Sequence, residues 1–243
     1  MSERVFLTAE WRHLMNFTFA VDPALLEPHL PDGCALARWQ GKSHVSAVAF
    51  DFRETRVLGV KVPWHINFPE LNLRFYVESK DPHGRDCVGV VFIREYVPRH
   101  AIAWAARFGY NEPYRTIPMR SKVTREGGRI EAVHDFSRRP DRLRAAAPAT
   151  PRIAAEDTAE HFFKEHEWGF GRTRAGQTLV YRVEHPVWES YPVDDYEIDV
   201  DFGRLYGPAW SFLNDATPEH VVFAEGSPIK VYFPLTRESA PGA

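Results

Sequence analysis

The sequence predicts an α+β fold that is mostly antiparallel β, with curved sheets and a few helices. Short runs rich in β-branched and aromatic residues recur between Gly, Pro and Asp clusters, which is typical of strands. These runs far outnumber helical patterns, and most connections are too short for the crossovers that parallel strands need. A hydrophobic content of 44% over 243 residues is enough to bury a sizeable core and excludes general disorder.

Nine strands are predicted along the chain. Gly127-Gly128 lies between two of them and indicates a hairpin, because both glycines tolerate the turn geometry. Pro113 and Pro118 flank or interrupt one run and predict an edge strand or a bend there. The predicted strands cover residues 15–20, 43–52, 71–78, 86–95, 115–124, 129–136, 177–185, 195–202 and 228–234.

Three helices are expected between the strands. The first begins at Asp22-Pro23, since Asp caps free N–H groups and Pro suits a first turn, and it ends before Gly33. The second spans 99–108 and ends at Gly109. The third runs from about 158 to 168, with Asp157 and Glu160 as a capping pair, and ends at Gly169.

The segment 137–155 is rich in Arg, Ala and Pro and lacks strand alternation. We interpret it as an irregular linker or loop that separates a front part of the chain from a back part. A basic contact surface is the alternative.

Composition narrows the function classes. The net charge of −3 and the pI near 6.4 argue against nucleic-acid binding, which usually needs a basic domain. No apolar run approaches the length of a membrane-spanning helix, and the first residues lack the apolar core of a signal peptide. Two cysteines form no disulfide framework. We therefore expect a cytoplasmic protein.

Familiar catalytic motifs are missing from the sequence. There is no nucleophile elbow, no Walker loop and no dinucleotide-binding glycine motif. His161 and His166 are five residues apart, which does not fit a zinc-binding helix pair, and we expect both to be surface histidines. The alternating acidic series Asp195 to Asp201 indicates a strand with one solvated face. No cofactor and no metal are expected.

Polar residues set among aromatic ones are the best candidates for a site. Glu70, Asn72 and Arg74 share strand parity and would project to one face. A carboxylate and a guanidinium on one face suit an anionic or hydroxylated small ligand, while a structural ion pair is the alternative. Trp11, Arg12, Trp64 and His65 lie in similar aromatic surroundings.

The order of five segments gives a family resemblance. WRHL…VDPALLEPHLPDG, FPELNLRFYV, VGVVFIRE, AARFGYNEPYRTIPM and VEHPVWE together resemble the YqjF-like proteins, the uncharacterised DUF2071 group, whose fold is similar to acetoacetate decarboxylase. The resemblance covers Trp11 to Pro234. It implies one domain over residues 1–243, in which the curved sheets form a cone or barrel around a central pocket with peripheral helices.

The resemblance also bears on mechanism. The decarboxylase forms a Schiff base through a lysine whose pKa is lowered by a neighbouring lysine, and this pair follows a Gly-x-Pro turn. The similar stretch here is GYNEPYRTIP, which places Tyr114 and Arg115 at those two positions. A phenol cannot form an imine, and a guanidinium is too basic to do so. Arg12 and Glu70 match an active-site arginine and glutamate of the decarboxylase.

The expected site thus has Glu70, Arg12 and Tyr114 as candidate catalytic residues. Its candidate ligand-binding residues are Trp11, Trp64, His65, Arg74 and Arg115.

Three functions remain open at this point. The first is binding of a small carboxylate or carbonyl compound, with or without chemistry other than decarboxylation. The second is a homo-oligomeric or partner-binding module, because seven Trp and nine Tyr also suit an interface. The third is a lyase that uses Lys61 or Lys122, two of only six lysines in the chain.

Overall fold

The structure is a computed structural model that describes residues 4–99, 113–137 and 141–237. The helix expected over 99–108 lies outside the described residues, except for its first residue. No helix within these ranges is long and apolar enough to cross a bilayer. Cys34 and Cys87 are both free thiols.

Strands dominate the described residues, as the sequence predicts. The strands are β1 Val5–Val21, β2 Ala35–Leu36, β3 Ser43–Val57, β4 Phe68–Lys80, β5 Asp86–Val97, β6 Tyr114–Thr116, β7 Met119–Glu126, β8 Arg129–Phe136, β9 Asp141–Pro148, β10 Arg152–Ile153, β11 Trp168–Arg172, β12 Thr178–Glu184, β13 Glu189–Tyr191, β14 Asp195–Asp199, β15 His220–Tyr232 and β16 Leu235–Arg237. The α-helices are Ala159–Lys164 and Phe202–Tyr206, and 3₁₀ turns cover Pro23–Leu25, Glu27–His29 and Pro208–Asn214.

One large curved sheet closes partly into a ring. Its strands follow the order β10-β13-β15-β1-β3-β4-β5-β11-β12-β16, and β12 also pairs with β15 through Val183↔Val231 and Glu184↔Lys230. Pairing is antiparallel except where β5 runs parallel to β11 and to β6. This confirms the predicted α+β class with curved, mostly antiparallel sheets.

A second sheet, in the order β14-β9-β8-β7, packs on the outside of the ring. Because side chains alternate along a strand, Met15 and Phe17 share one face of β1, and they belong to the same apolar cluster as Ala132 and Leu143 of this sheet. The opposite face of β1 carries Leu14, which belongs to a separate apolar cluster inside the ring. The ring therefore has one face covered by protein and one face around an internal space.

The prediction of an irregular segment over 137–155 is wrong where the chain forms β9 and β10. Along β9, buried Leu143 and Ala145 alternate with partly exposed Arg142 and Arg144. The two arginines form ion pairs with carboxylates of neighbouring strands. Alanine is a weak strand former, so the strand depends on this pairing and the local sequence signal is faint.

The predicted helix over 158–168 is shorter than expected. Thr158, not Asp157, caps it by accepting a hydrogen bond from the His161 amide, and the helix ends at Lys164. Residues 168–172 form β11 instead, because β5 offers a free edge that pairs with this segment in parallel. The first expected helix is two 3₁₀ turns, and Asp22 caps the first of them as predicted.

Other strand predictions agree closely with the structure. Gly127 and Gly128 form the turn of the β7–β8 hairpin, both with positive φ. The predicted run 115–124 is split between β6 and β7 next to Pro118, as its proline indicates. The run 195–202 ends at Asp199, since Asp201 caps the helix that follows.

Candidate functional site

The ring encloses a cavity of about 360 Å³. Its walls are mostly aromatic and aliphatic, because inward-facing positions of the ring strands carry large apolar side chains. Prominent lining residues are Trp11, Phe50, Phe52, Phe68, Phe92 and Tyr181. A mostly apolar cavity with a few convergent polar groups is the usual form of a small-molecule site.

The main polar group of the cavity comes from three neighbouring strands. Glu70, Asn72 and Arg74 project from alternate positions of β4 and line the wall together, as their parity predicts. In the sheet register, Asn72 lies opposite Glu95 of β5, and Glu95 lies opposite Tyr114 of β6. Sheet pairing therefore gathers five polar side chains on one wall of a mostly apolar cavity.

Glu70 lies at the centre of this polar group and is only 3% exposed. Tyr114 Oη donates a hydrogen bond of 3.0 Å to its Oε2, and Asn72 Nδ2 donates one of 3.2 Å to its Oε1. Burial raises the pKa of Glu70 to about 7, against the opposing effect of these donors and of Arg74. Glu70 can therefore gain or lose a proton near neutral pH.

Glu95 and Tyr114 complete a proton-sharing group with Glu70. Hydrogen bonding links Glu95 to both residues, and two carboxyl groups can share a hydrogen bond only if one holds a proton. Burial, reinforced by the charges of both carboxylates, raises the pKa of Tyr114 well above its usual value. Tyr114 therefore stays a phenol and acts as a hydrogen-bond donor.

Arg74 is a buried cation without a direct counter-ion. It is 7% exposed, its Nη2 donates a 3.1 Å hydrogen bond to the Phe163 carbonyl, and its guanidinium lies 5.9 Å from the Tyr76 ring centroid. Its Nε has no partner, and no carboxylate among the described residues lies within ion-pair distance. A desolvated guanidinium of this kind favours an anionic ligand.

His166 is another cavity residue, although its sequence position suggests a surface histidine. Both ring nitrogens are buried, and burial together with the nearby charge of Arg74 lowers the pKa of His166 to about 3. The imidazole is therefore neutral at physiological pH. The expectation of a surface residue is wrong because the chain turns inward after the helix to reach β11.

The structure separates the predicted site residues into two groups. Glu70, Arg74, Tyr114, Trp11 and His65 line the cavity, and Glu70 and Tyr114 are in direct contact.

Arg12, Trp64 and Arg115 are not among the cavity-lining residues. Arg12 follows Trp11 on the strand and therefore faces away, where its Nε contacts Glu10 at 3.0 Å. Arg115 is exposed for the same reason, since its neighbour Tyr114 faces inward. Trp64 is 78% exposed on the β3–β4 connection.

Glu95 is a cavity residue that the simple alternation of side chains along β5 does not predict. Inward-facing Val90 and Phe92 occupy even positions, whereas Glu95 is odd. The β4–β5 register shifts by one residue between Leu73 and Arg74, so the later part of β5 turns its odd positions inward. A charged residue inside the apolar run VFIREYV is the only sequence signal for it.

All six lysines lie in the described ranges, and none of them lines the cavity. Lys61 forms an ion pair with Glu54 on the surface. Lys122 lies on β7 with its side chain exposed. The two lysines considered for a Schiff base are thus not among the cavity-lining residues.

Comparisons with known proteins agree with this fold. The family model DUF2071, described as an uncharacterized conserved protein, matches residues 8–228. The enduracididine biosynthesis enzyme MppR, solved in complex with pyruvate, has a TM-score of 0.63 and 11% identity, covering 98% of this chain and 92% of its own. None of the curated proteins matches the chain.

Two further similar solved structures are an acetoacetate decarboxylase and an acetoacetate decarboxylase-like enzyme. The acetoacetate decarboxylase from Legionella pneumophila has a TM-score of 0.61 and 14% identity, covering 98% of this chain and 88% of its own. An acetoacetate decarboxylase-like enzyme from Sphingomonas wittichii RW1 has a TM-score of 0.61 and 14% identity, covering 97% and 94%. At these identities the likeness shows the shared fold.

Proposed function

The chain belongs to the DUF2071 family, and from that premise we propose that its cavity binds a small carboxylate- or carbonyl-containing molecule without Schiff-base decarboxylase chemistry. The observation that carries this proposal is Arg74, a buried guanidinium with no carboxylate at ion-pair distance among the described residues. A ligand carboxylate or enolate would form the direct ion pair with Arg74 that the described residues do not provide.

The proton-sharing group adds chemical capacity beside that anion position. Glu70 can exchange a proton near neutral pH, and Tyr114 can turn its single O–H from Glu70 to a developing oxyanion once Glu70 holds a proton. This pairing suits proton transfer next to a carbonyl group. The aromatic walls favour a ligand with an apolar body beyond its polar head.

The fold neighbours support the same ligand class. MppR forms a complex with pyruvate, which is a 2-oxo acid. The sequence resemblance matches Tyr114 to the reactive lysine of the decarboxylase, and no lysine is among the described residues that line the cavity. Both points support a bound oxo acid that is not held as an imine.

The proposal is tested by calorimetric titration with pyruvate, acetoacetate and longer 2-oxo and aliphatic acids, beside matched neutral ketones. Arg74→Met should weaken carboxylate binding at least tenfold, because it removes the buried cation. Arg12→Met is the matched control: it also removes an arginine, but one outside the cavity, and should change affinity less than twofold. Arg74→Lys, which retains the charge, should show partial recovery.

Borohydride trapping with acetoacetate and pyruvate tests the second half of the proposal. We expect no mass increase on any lysine. A trapped adduct would overturn the claim about Schiff-base chemistry. Failure of the whole panel to bind, or an equal loss in the Arg74 and Arg12 variants, would overturn the binding proposal.

A further inference from the structure

A second group of ionisable side chains lies apart from the cavity lining. His44 is at the start of β3, His220 is the first residue of β15, and Glu219 immediately precedes that strand. One donor atom from each residue lies within 4.8 Å of the others. The proposed function does not use any of the three.

Sheet pairing fixes the positions of these residues. β1 lies between β3 and β15, where Ala20 pairs with His44 and Thr18 pairs with His220. The Glu219 amide also donates a 2.8 Å hydrogen bond to the Thr18 carbonyl. The three backbones are thus held by one central strand, so the cluster does not depend on a flexible loop.

The cluster has an apolar floor and a solvent-facing side. The Phe163 ring lies 5.0 Å from the His44 ring and 5.2 Å from the His220 ring, measured between centroids. The His44 side chain is 2% exposed, whereas Glu219 is 34% exposed. An ion could enter from the Glu219 side and bind above the phenyl ring.

We propose that His44, Glu219 and His220 form a binding site for a divalent transition-metal ion of the zinc class. Two imidazoles and one carboxylate are a donor set that zinc uses when water or another ligand fills the fourth position. Imidazole nitrogen favours such ions over Mg²⁺ and Ca²⁺, which prefer oxygen ligands. The sequence predicts no metal, because residues 44 and 220 become neighbours only through β1.

To bind zinc, the donor atoms of the three side chains must move slightly closer together. Zinc–nitrogen and zinc–oxygen bonds of about 2.1 Å place tetrahedral donor atoms about 3.4 Å apart. His44 Nε2 and Glu219 Oε2 are already 3.1 Å apart, and the widest separation within the cluster is at most 4.8 Å. Rotation of the partly exposed His220 and Glu219 side chains can supply the change.

Lys42 gives this proposal a distinctive electrostatic signature. Its Nζ is 2.6 Å from Glu219 Oε1, which leaves Oε2 on the His44 side. The ammonium neutralises Glu219 in the absence of an ion and repels a bound dication. Removal of this charge should therefore tighten metal binding, which is the opposite of what loss of a ligand would do.

The test is a calorimetric titration of the full chain with Zn²⁺ after removal of metals by chelator. We expect one ion per chain and at least a tenfold loss of affinity in His220→Ala. His83→Ala, which removes an exposed histidine outside the cluster, should bind Zn²⁺ as the wild type does. Lys42→Met should bind Zn²⁺ several-fold more tightly than the wild type.

Cobalt(II) substitution supplies a readout of coordination. The wild-type chain should show the intense visible absorption of a four-coordinate ion, and His220→Ala should lose it. Equal Zn²⁺ affinity in the wild type and His220→Ala, or weaker binding in Lys42→Met, would overturn the proposal. Thermal melting without metal checks that each variant is folded.

Discussion

At the scale of the residue, Glu70 is buried where its charged form is disfavoured. Its pKa rises to about 7 because desolvation outweighs Asn72, Tyr114 and Arg74, all of which favour the carboxylate. The parity of Glu70 and Arg74 on β4 could be read from the sequence. The sequence does not predict that Arg74 lacks an ion-pair partner among the described residues, because ion pairing depends on which other strands lie beside it.

This burial predicts a pH-dependent stability difference for Glu70→Gln. Between pH 4.5 and 7 the unfolded carboxyl loses its proton while the folded one keeps it, so wild-type stability falls as pH rises. The neutral variant lacks this loss, and its free energy of unfolding relative to wild type should increase by up to about 3 kcal/mol from pH 4.5 to pH 8. Urea unfolding at several pH values measures the difference.

Glu78→Gln is the matched control for that experiment, since Glu78 is on the same strand but exposed. It should change stability little at any of these pH values. A Glu70→Gln difference that stays constant from pH 4.5 to 8 would show that Glu70 titrates normally.

At the scale of the element, β1 depends on a break in its regular pairing. His13 has a positive φ, and the β1–β3 register shifts between Arg12 and Met15, so Trp11 and Leu14 both face the cavity. Across from this break, Gly226 of β15 has φ +81° and pairs with Arg12. The irregularity on β1 is thus matched by a glycine on its partner strand.

Gly226→Ala should destabilise the chain by more than about 2 kcal/mol. An added Cβ would lie 2.0 Å from the Trp11 carbonyl oxygen, so the backbone of β1 would have to move, in addition to the cost of a positive φ for alanine. Since Trp11 lines the cavity, affinity for the proposed carboxylate ligands should also fall. Urea unfolding and ligand titration check the two effects.

Gly176→Ala separates the two causes. Gly176 has a similar φ of +86° and nothing within 4 Å of an added Cβ, so it should lose only about 1 kcal/mol. An equal loss in the two variants would mean that the close approach to Trp11 contributes nothing.

At the scale of the whole molecule, the ring and the second sheet meet around buried polar residues. His134 of β8 is fully buried, and its Nε2 lies 3.8 Å from Asp51 Oδ1 of β3. Neither of its ring nitrogens has a hydrogen-bond partner within the part of the chain that the structure describes. Burial lowers the pKa of His134 to about 4, although Asp51 favours the protonated form.

His134→Leu should therefore reduce acid sensitivity. Below pH 6.5 the unfolded imidazole takes up a proton and the folded one does not, so wild-type stability falls until the pH nears 4. Relative to His134→Leu, the wild type should lose up to about 3 kcal/mol between pH 7 and pH 4. Urea unfolding across this range tests it, with exposed His83→Leu as the control; parallel curves for wild type and His134→Leu would contradict the prediction.

The sequence by itself determined the strand-rich class, most strand positions and the shared face of Glu70, Asn72 and Arg74. Those features depend on a two-residue alternation that each segment carries locally. Only the tertiary structure decided that Arg12 faces away from the cavity and that Glu95 faces into it. Arg12 faces away because it follows the inward-facing Trp11, whereas a register shift in β5 turns Glu95 inward, and both directions depend on pairing with distant strands. The grouping of His44 with Glu219 and His220 has the same origin.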